Sequence, residues 1–259
     1  MQKAELSVIL THMQKVDIKK ETDNLIEKMF KAGAHYGYGK TRRHPSVSPY
    51  IYATKNKTDI IDLEKTAVLL ERALEFVKSL AAAGKVILFV GTKPEARNAV
   101  KNVAESLNMP YVTERWIGGT LSNFTEIKKR ISELENYRKD SVVGGLDKYT
   151  KKERVVMAKK MEKLSRYYSG LIGLKKTPEL LFIVDARAEY IAATEAKNAD
   201  VPVLSLSNSD ADIKDIDYPI VGNDSSTPSI KFFTGAIANA YKEGAMSAPA
   251  DKSVLPKTS

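Results

Sequence analysis

The sequence predicts an α/β layer fold built on a mostly parallel sheet, and three observations carry that prediction. Continuous apolar runs at VILFV (86–90), LLFIV (180–184) and VPVLSL (201–206) read as strands buried on both faces. Helical periodicities alternate with these runs, as a parallel sheet with crossover helices requires. Between Gly119 and Lys175 the pattern is interrupted by two basic helical segments. That stretch carries 14 Lys/Arg against 7 Asp/Glu, most of the net charge of +9 on 259 residues.

In chain order, residues 1–22 are polar and mixed, and read as a flexible N-terminal extension. They lack the apolar core of a signal peptide. Asp23 precedes a short helix, Leu25 to Ala32, that Gly33 ends. The segment 33–52, GAHYGYGKTRRHPSVSPYIY, reads as a glycine- and proline-bearing loop. Its Lys40, Arg42 and Arg43 suit phosphate neutralisation, whereas its tyrosines read as packing on the body and His44 as structural. Thr58 to Ile61 reads as a strand. Asp62 caps the next helix, Leu63 to Ala82, which Gly84 stops.

The strand at 86–91 runs into Gly91-Thr-Lys-Pro-Glu, where Pro94 opens a third helix. Such a junction can present N–H groups to an anion, and Lys93 and Arg97 could touch a phosphate there. Neither nucleotide-binding glycine fingerprint is present, so no cofactor is expected. Pro110 to Thr113 is a further strand. The first helix of the basic segment places Leu121, Phe124, Ile127, Ile131, Leu134 and Tyr137 on one seam, narrow enough for a two-helix coiled coil. After a turn at Ser141 to Asp147, Thr150 and Glu153 form a capping-box pattern. The second helix offers Val156 or Met157, Met161, Leu164 and Tyr168 as the facing seam. A helix at 187–199 and an edge strand at 217–221 follow. Thr227 then caps a last helix that runs to Tyr241, with Gly244 at its end. Residues 246–259 read as a disordered tail. The domain reading is therefore a body of 23–118 and 172–245, with 119–171 inserted as a helical hairpin.

The charge pattern points to a polyanion. A basic arm on a charge-balanced body, at pI near 9.4, is how nucleic-acid-binding chains distribute charge. The absence of cysteine excludes disulfides, cysteine metal sites and thiol catalysis. No run reaches the roughly 18 apolar residues of a membrane span, and a cytoplasmic location is expected. An enzyme using the Gly91–Lys93 turn as a phosphate cradle is the competing class. However, His12, His35 and His44 are the only histidines, and none sits at a strand end. A free RNA chaperone with the same arm is a third.

GAHYGYG, NKTDIIDLEKT (56–66), KVILFVGTK (85–93), RWIGGTLSNF (115–124) and LLFIVDARAEYIAATEAKNADVPV (180–203) occur in that order. Over about 30 to 245 the chain closely resembles the bacterial-type small-subunit ribosomal protein S-two family. The resemblance implies a flavodoxin-like three-layer α/β/α body with an inserted basic coiled-coil hairpin. It also implies a structural, non-catalytic role between head and body of the small subunit. Contacts to small-subunit (16S) rRNA and neighbouring proteins are implied with it, including help in recruiting ribosomal protein S-one. Neither membrane nor DNA is an expected partner.

The family's RNA-facing loop falls on Gly33, His35, Gly37, Lys40, Arg42 and Arg43. Its tryptophan–glycine turn falls on Trp116, Gly118, Gly119, Leu121, Ser122 and Asn123, with Trp116 read as packing between body and hairpin. Lys55, Lys57, Lys93, Arg97, Arg115, Lys128, Lys129, Arg130, Lys151, Lys152 and Arg154 complete the expected RNA-binding set. Tyr38 stands where the family usually has His, and Arg43-His44 where it has Trp-Asn. The turn at Asn208 to Ile213 also departs from the family pattern. No metal site is assigned; whether Asp185, Asp210 and Asp212 hold Mg²⁺ stays open on sequence alone.

Overall fold

The computed structural model describes residues 22–143, 145–146 and 149–247. Most of the expected extension, most of the expected tail and part of the 141–147 turn lie outside these residues. The opening helix α1 spans 22–31. Gly33, at φ +74°, then turns the chain into a conformation that costs other residues steric strain.

Two sheets follow. The smaller is antiparallel, in the order β1-β3-β2, from β1 (Tyr36–Gly39), β2 (Ile51–Lys55) and β3 (Thr58–Ile61). This corrects the reading of 33–52 as a loop. Its ends are strands, joined by short 3-10 turns at Lys40–Arg42 and Pro45–Tyr50. A two-residue hairpin, Asn56 and Lys57, both at positive φ, links β2 to β3, the geometry whose twist matches paired strands.

The larger sheet is parallel: β4 (Ile87–Val90), β5 (Tyr111–Val112), β6 (Leu180–Val184), β7 (Val203–Ser207) and β8 (Tyr218–Val221). Its order β5-β4-β6-β7-β8 is the 2-1-3-4-5 winding of flavodoxin-like folds. β4, β6 and β7 are buried at every position, as their apolar runs require. Helices α2 (Leu63–Ala82), α3 (Pro94–Ser106) and α7 (Thr227–Met246) cover one face. The other face carries α6 (Tyr190–Asn198) and the bases of α4 (Phe124–Val143) and α5 (Lys151–Tyr168).

Several boundaries move for identifiable reasons. α6 begins at Tyr190, not 187, because Asp185 accepts hydrogen bonds from the Arg187 and Ala188 N–H groups and holds a turn there. Ser226 occupies the N-cap position of α7 without a side-chain capping hydrogen bond, so Thr227 is its first residue and Pro228 its second. It also runs past Gly244 to Met246. Gly244 lies against α2, where a Cβ would meet the Lys78 carbonyl oxygen at 2.4 Å, so this glycine permits helix contact and does not end the helix. α4 continues through the expected turn to Val143. Along α4 and α5, Ile127, Ile131, Leu134, Met161 and Tyr168 are buried in one cluster, and the capping box at Thr150–Glu153 is formed. Val156 is exposed and Met157 is half-buried.

Candidate nucleic-acid interface

In a 2-1-3-4-5 sheet the ligand crevice lies where the winding reverses, beyond the carboxyl ends of β4 and β6. Here that position is filled from within. Lys93, after β4, donates to Asp185 at 2.5 Å and to Asp224 at 2.9 Å. Burial alone would depress its ammonium, but the Asp224 and Asp185 charges outweigh that and hold its pKa above the usual lysine value. The Asp224 carboxyl is pushed up by burial and by the neighbouring Asp185 charge, with Lys93 opposing. Beside them Thr92 donates to Glu189, whose pKa burial also raises.

The antiparallel sheet closes the crevice from outside. The Lys93 ammonium donates to the Tyr38 hydroxyl at 3.2 Å, and that hydroxyl shares a 2.6 Å hydrogen bond with Ser225. The Tyr38 N–H donates to the Ser209 hydroxyl, and the His44 N–H to the Ser209 carbonyl. Thus the divergent turn at Asn208 to Ile213 seats the 38–46 segment. The segment Gly222-Asn223-Asp224, directly after β8, works in the same direction. Asn223 binds the backbone of Gly33 and Ala34, while Asp224 binds Lys93 and Asn208.

The expected site residues fall into two groups. Arg43 is paired with fully buried Asp59, and Arg97 binds the Thr92 carbonyl and Glu114. His35 stacks on Phe30, and the Tyr36 ring is tilted against it. Gly37 packs on Asp59, where a Cβ would come within 3.0 Å of its carbonyl oxygen. The Gly119 N–H donates to Glu195 at 2.7 Å, and Gly118 and Asn123 belong to the same turn. Gly118 and Asn123 are exposed, whereas the others in this group are partly buried and engaged in contacts within the body. Lys40, Lys55 and Lys57 are exposed and meet at the tip of the small sheet, where the Lys40 N–H donates to the Lys57 carbonyl at 2.9 Å. Arg42, Arg115, Lys128, Lys129, Arg130, Lys151, Lys152 and Arg154 are exposed as well. Of these, Lys129 pairs with Glu126, Arg130 with Glu133 and Arg154 with the Tyr149 carbonyl.

Asp185, Asp210 and Asp212 do not converge on an ion. Asp185 faces Lys93, Asp210 receives Arg42 and Arg187, and Asp212 receives the Lys214 N–H. Among the described residues no group of three His, Cys, Asp or Glu side chains is arranged to hold a metal.

The helical pair is anchored by two acids that the sequence reading did not single out. Glu195 of α6 accepts from the Gly119, Leu121 and Ser122 N–H groups and from the Trp116 indole, and thus clasps the turn before α4. Glu114 accepts from Arg97 of α3 and Arg166 of α5. Neither stands out in the chain; a helical Glu is ordinarily solvated, and only the W-I-G-G-T turn hinted that something must satisfy its N–H groups.

The sequence pattern of the family described as Ribosomal protein S2 matches residues 29–244. The chain belongs to the ribosomal protein S2 family. A curated relative from Helicobacter hepaticus, small ribosomal subunit protein uS2, is 39% identical over 219 residues. The match covers 85% of this chain and 83% of that one. Ribosomal protein S2 is a structural protein of translation and not an enzyme. The filled crevice is in keeping with that: where flavodoxin-like enzymes admit a ligand, this S2 chain has an ion-pair plug. Among its described residues, no helix is long and apolar enough to cross a membrane.

Proposed function

We propose that this chain is a structural constituent of the small ribosomal subunit in the cytoplasm, holding 16S rRNA at two basic surfaces and docking neighbouring proteins on its C-terminal third, residues 176–259, which carries 12 Asp/Glu against 8 Lys/Arg. The first surface is the small-sheet tip with Lys40, Lys55, Lys57 and Arg42. The second is a coiled-coil arm of α4 and α5, with Lys128, Lys151 and Lys152 outward and Arg115 near its base. The observation that carries the reading is the basic surplus on the 119–175 segment of a family member whose ligand crevice is plugged. Phosphate neutralisation by such side chains is electrostatic and falls steeply with salt. The groups engaged within the body, Arg43, Lys93 and Arg97, hold these surfaces in place and do not themselves reach phosphate. Placement between head and body, and support for ribosomal protein S-one, belong to the same proposal.

Sucrose-gradient sedimentation of cell extract, with this chain quantified per small subunit, tests it. About one copy per subunit, lost progressively in a high-salt wash, is expected. Absence from the subunit peak would overturn the assignment, and stoichiometry that ignores salt would overturn the phosphate-based attachment.

A further inference from the structure

A cavity of about 560 Å³ opens beside the Lys40–Arg42 turn, and the side chains around it make an unusual charge arrangement. Asp210 Oδ2 accepts from Arg42 at 3.1 Å and from Arg187 at 2.8 Å. One carboxylate therefore serves two guanidinium groups, while Asp212 and Asp215 also line the cavity, Asp215 paired with Lys197. Both guanidinium groups are held in position. Arg42 lies 4.4 Å from the Tyr38 ring centroid, and Arg187 follows the turn that Asp185 fixes. Both side chains are nevertheless more than half exposed, at 55% and 54%, and each has N–H donors that Asp210 does not engage.

Along α6, Tyr190, Thr194 and Lys197 follow one another on a single face and line the same cavity. The Tyr190 ring is 64% exposed and stacks on no other aromatic ring among the described residues. Lys197 is already paired with Asp215, and Arg43 with Asp59.

We propose that this cavity binds one unpaired RNA nucleotide, its phosphate on Arg42 and Arg187 and its base against Tyr190. The proposal rests on the rRNA-binding reading above and extends it onto α6, within the acidic third of the chain. Two adjacent guanidinium groups with free N–H donors beside one open aromatic face match one phosphate and one base. An acidic peptide would want several free cations in a row, and Lys197 and Arg43 are committed elsewhere. Arg42, which lines the cavity, belongs to the same 3-10 turn as Lys40, so a strand gripped at the small-sheet tip has a short path to it.

The test is binding of a short single-stranded RNA, and separately of small-subunit rRNA, to the full chain and to Tyr190→Leu, Tyr190→Phe and Arg187→Ala. Thermal melting checks that each variant is folded. Tyr190→Leu should weaken binding of the short RNA about tenfold with an unchanged salt slope, and Tyr190→Phe should stay near wild type. Arg187→Ala should lower the slope of log affinity against log salt by about 0.7. If the wild type binds rRNA and all three variants match it, the cavity is not a nucleotide site and the wider reading survives. If the wild type binds no rRNA, both fall. If polyglutamate displaces the RNA and Tyr190→Leu abolishes polyglutamate binding, the cavity is a peptide site and the proposal is overturned.

Discussion

Asp59 is fully buried in β3, and everything near it serves to keep it charged. Arg43 donates to both its oxygens and Thr54 to one of them. The Arg43 hydrogen bonds, against the cost of burial, hold its pKa below the ordinary carboxylate value. A depressed folded-state pKa contributes stability that is present above the unfolded pKa, near 4, and is lost as pH falls through the folded value. Asp59→Asn should therefore lower stability at neutral pH by roughly 2–3 kcal/mol, since Arg43 is left half-buried without its partner. It should also flatten the decline below pH 4, as followed by urea unfolding across pH. An unchanged acid limb in the variant would mean other carboxylates govern acid unfolding. Glu195 makes a second residue-scale case. Glu195→Ala leaves the N–H groups of Gly119, Leu121 and Ser122 and the Trp116 indole without their acceptor. A loss of about 2–4 kcal/mol is expected, together with faster amide exchange confined to 118–123. Exchange that rises evenly along the chain would count against a local clasp.

Among the elements, the contact of α2 with α7 supplies the sharpest contrast. Gly244→Ala puts a methyl group 2.4 Å from the Lys78 carbonyl oxygen and 2.8 Å from Ala81. It should destabilise by about 1–3 kcal/mol, with the better helix propensity of alanine overwhelmed. Gly235→Ala in the same helix meets nothing within 4 Å and should stabilise by up to about 1 kcal/mol. Denaturant titration of the pair decides; two changes of equal sign would show that propensity, not packing, controls α7. The same glycine marks where sequence reading runs out. Buried strands, helix periods, the Asp62 cap and the Thr150–Glu153 box are local signals, and they were legible. Gly244 reads as a terminator because a helix glycine made necessary by a neighbouring helix looks identical in one dimension. The small sheet was missed for a related reason. Glycine, proline and arginine outweigh the brief alternation of β2, and the pairing that makes it a strand comes from β3. The Asn56-Lys57 turn between Ile51–Lys55 and Thr58–Ile61 was the available clue. Of the interface, the exposed lysines were legible as charge. The fate of Lys93 was not, because Asp185 and Asp224 lie about 90 and 130 residues away in the chain.

At the scale of the whole molecule, the two basic surfaces are joined to one body by acids. Glu114 ties α3 to α5, Glu195 ties α6 to the start of α4, and the Lys93 cluster ties the small sheet to the large one. Reversing charge at Lys128, Lys151 and Lys152 together should weaken rRNA binding and reduce the salt slope by about 2 to 3, with melting temperature unchanged. A binding loss independent of salt would mean that the arm acts through shape. The Ser209 seat of Tyr38 has a further consequence, in the time it takes to make the protein. Tyr38 leaves the peptidyl-transferase site 171 residues ahead of its partner. At about 5–20 residues per second, the small sheet waits roughly ten to thirty seconds for the turn that seats it. A nascent chain truncated before Asn208 should therefore leave 33–61 open to protease, and one extended past Ser225 should protect it. The sheet tip that carries Lys40, Lys55 and Lys57 is thereby seated only when the chain is nearly whole.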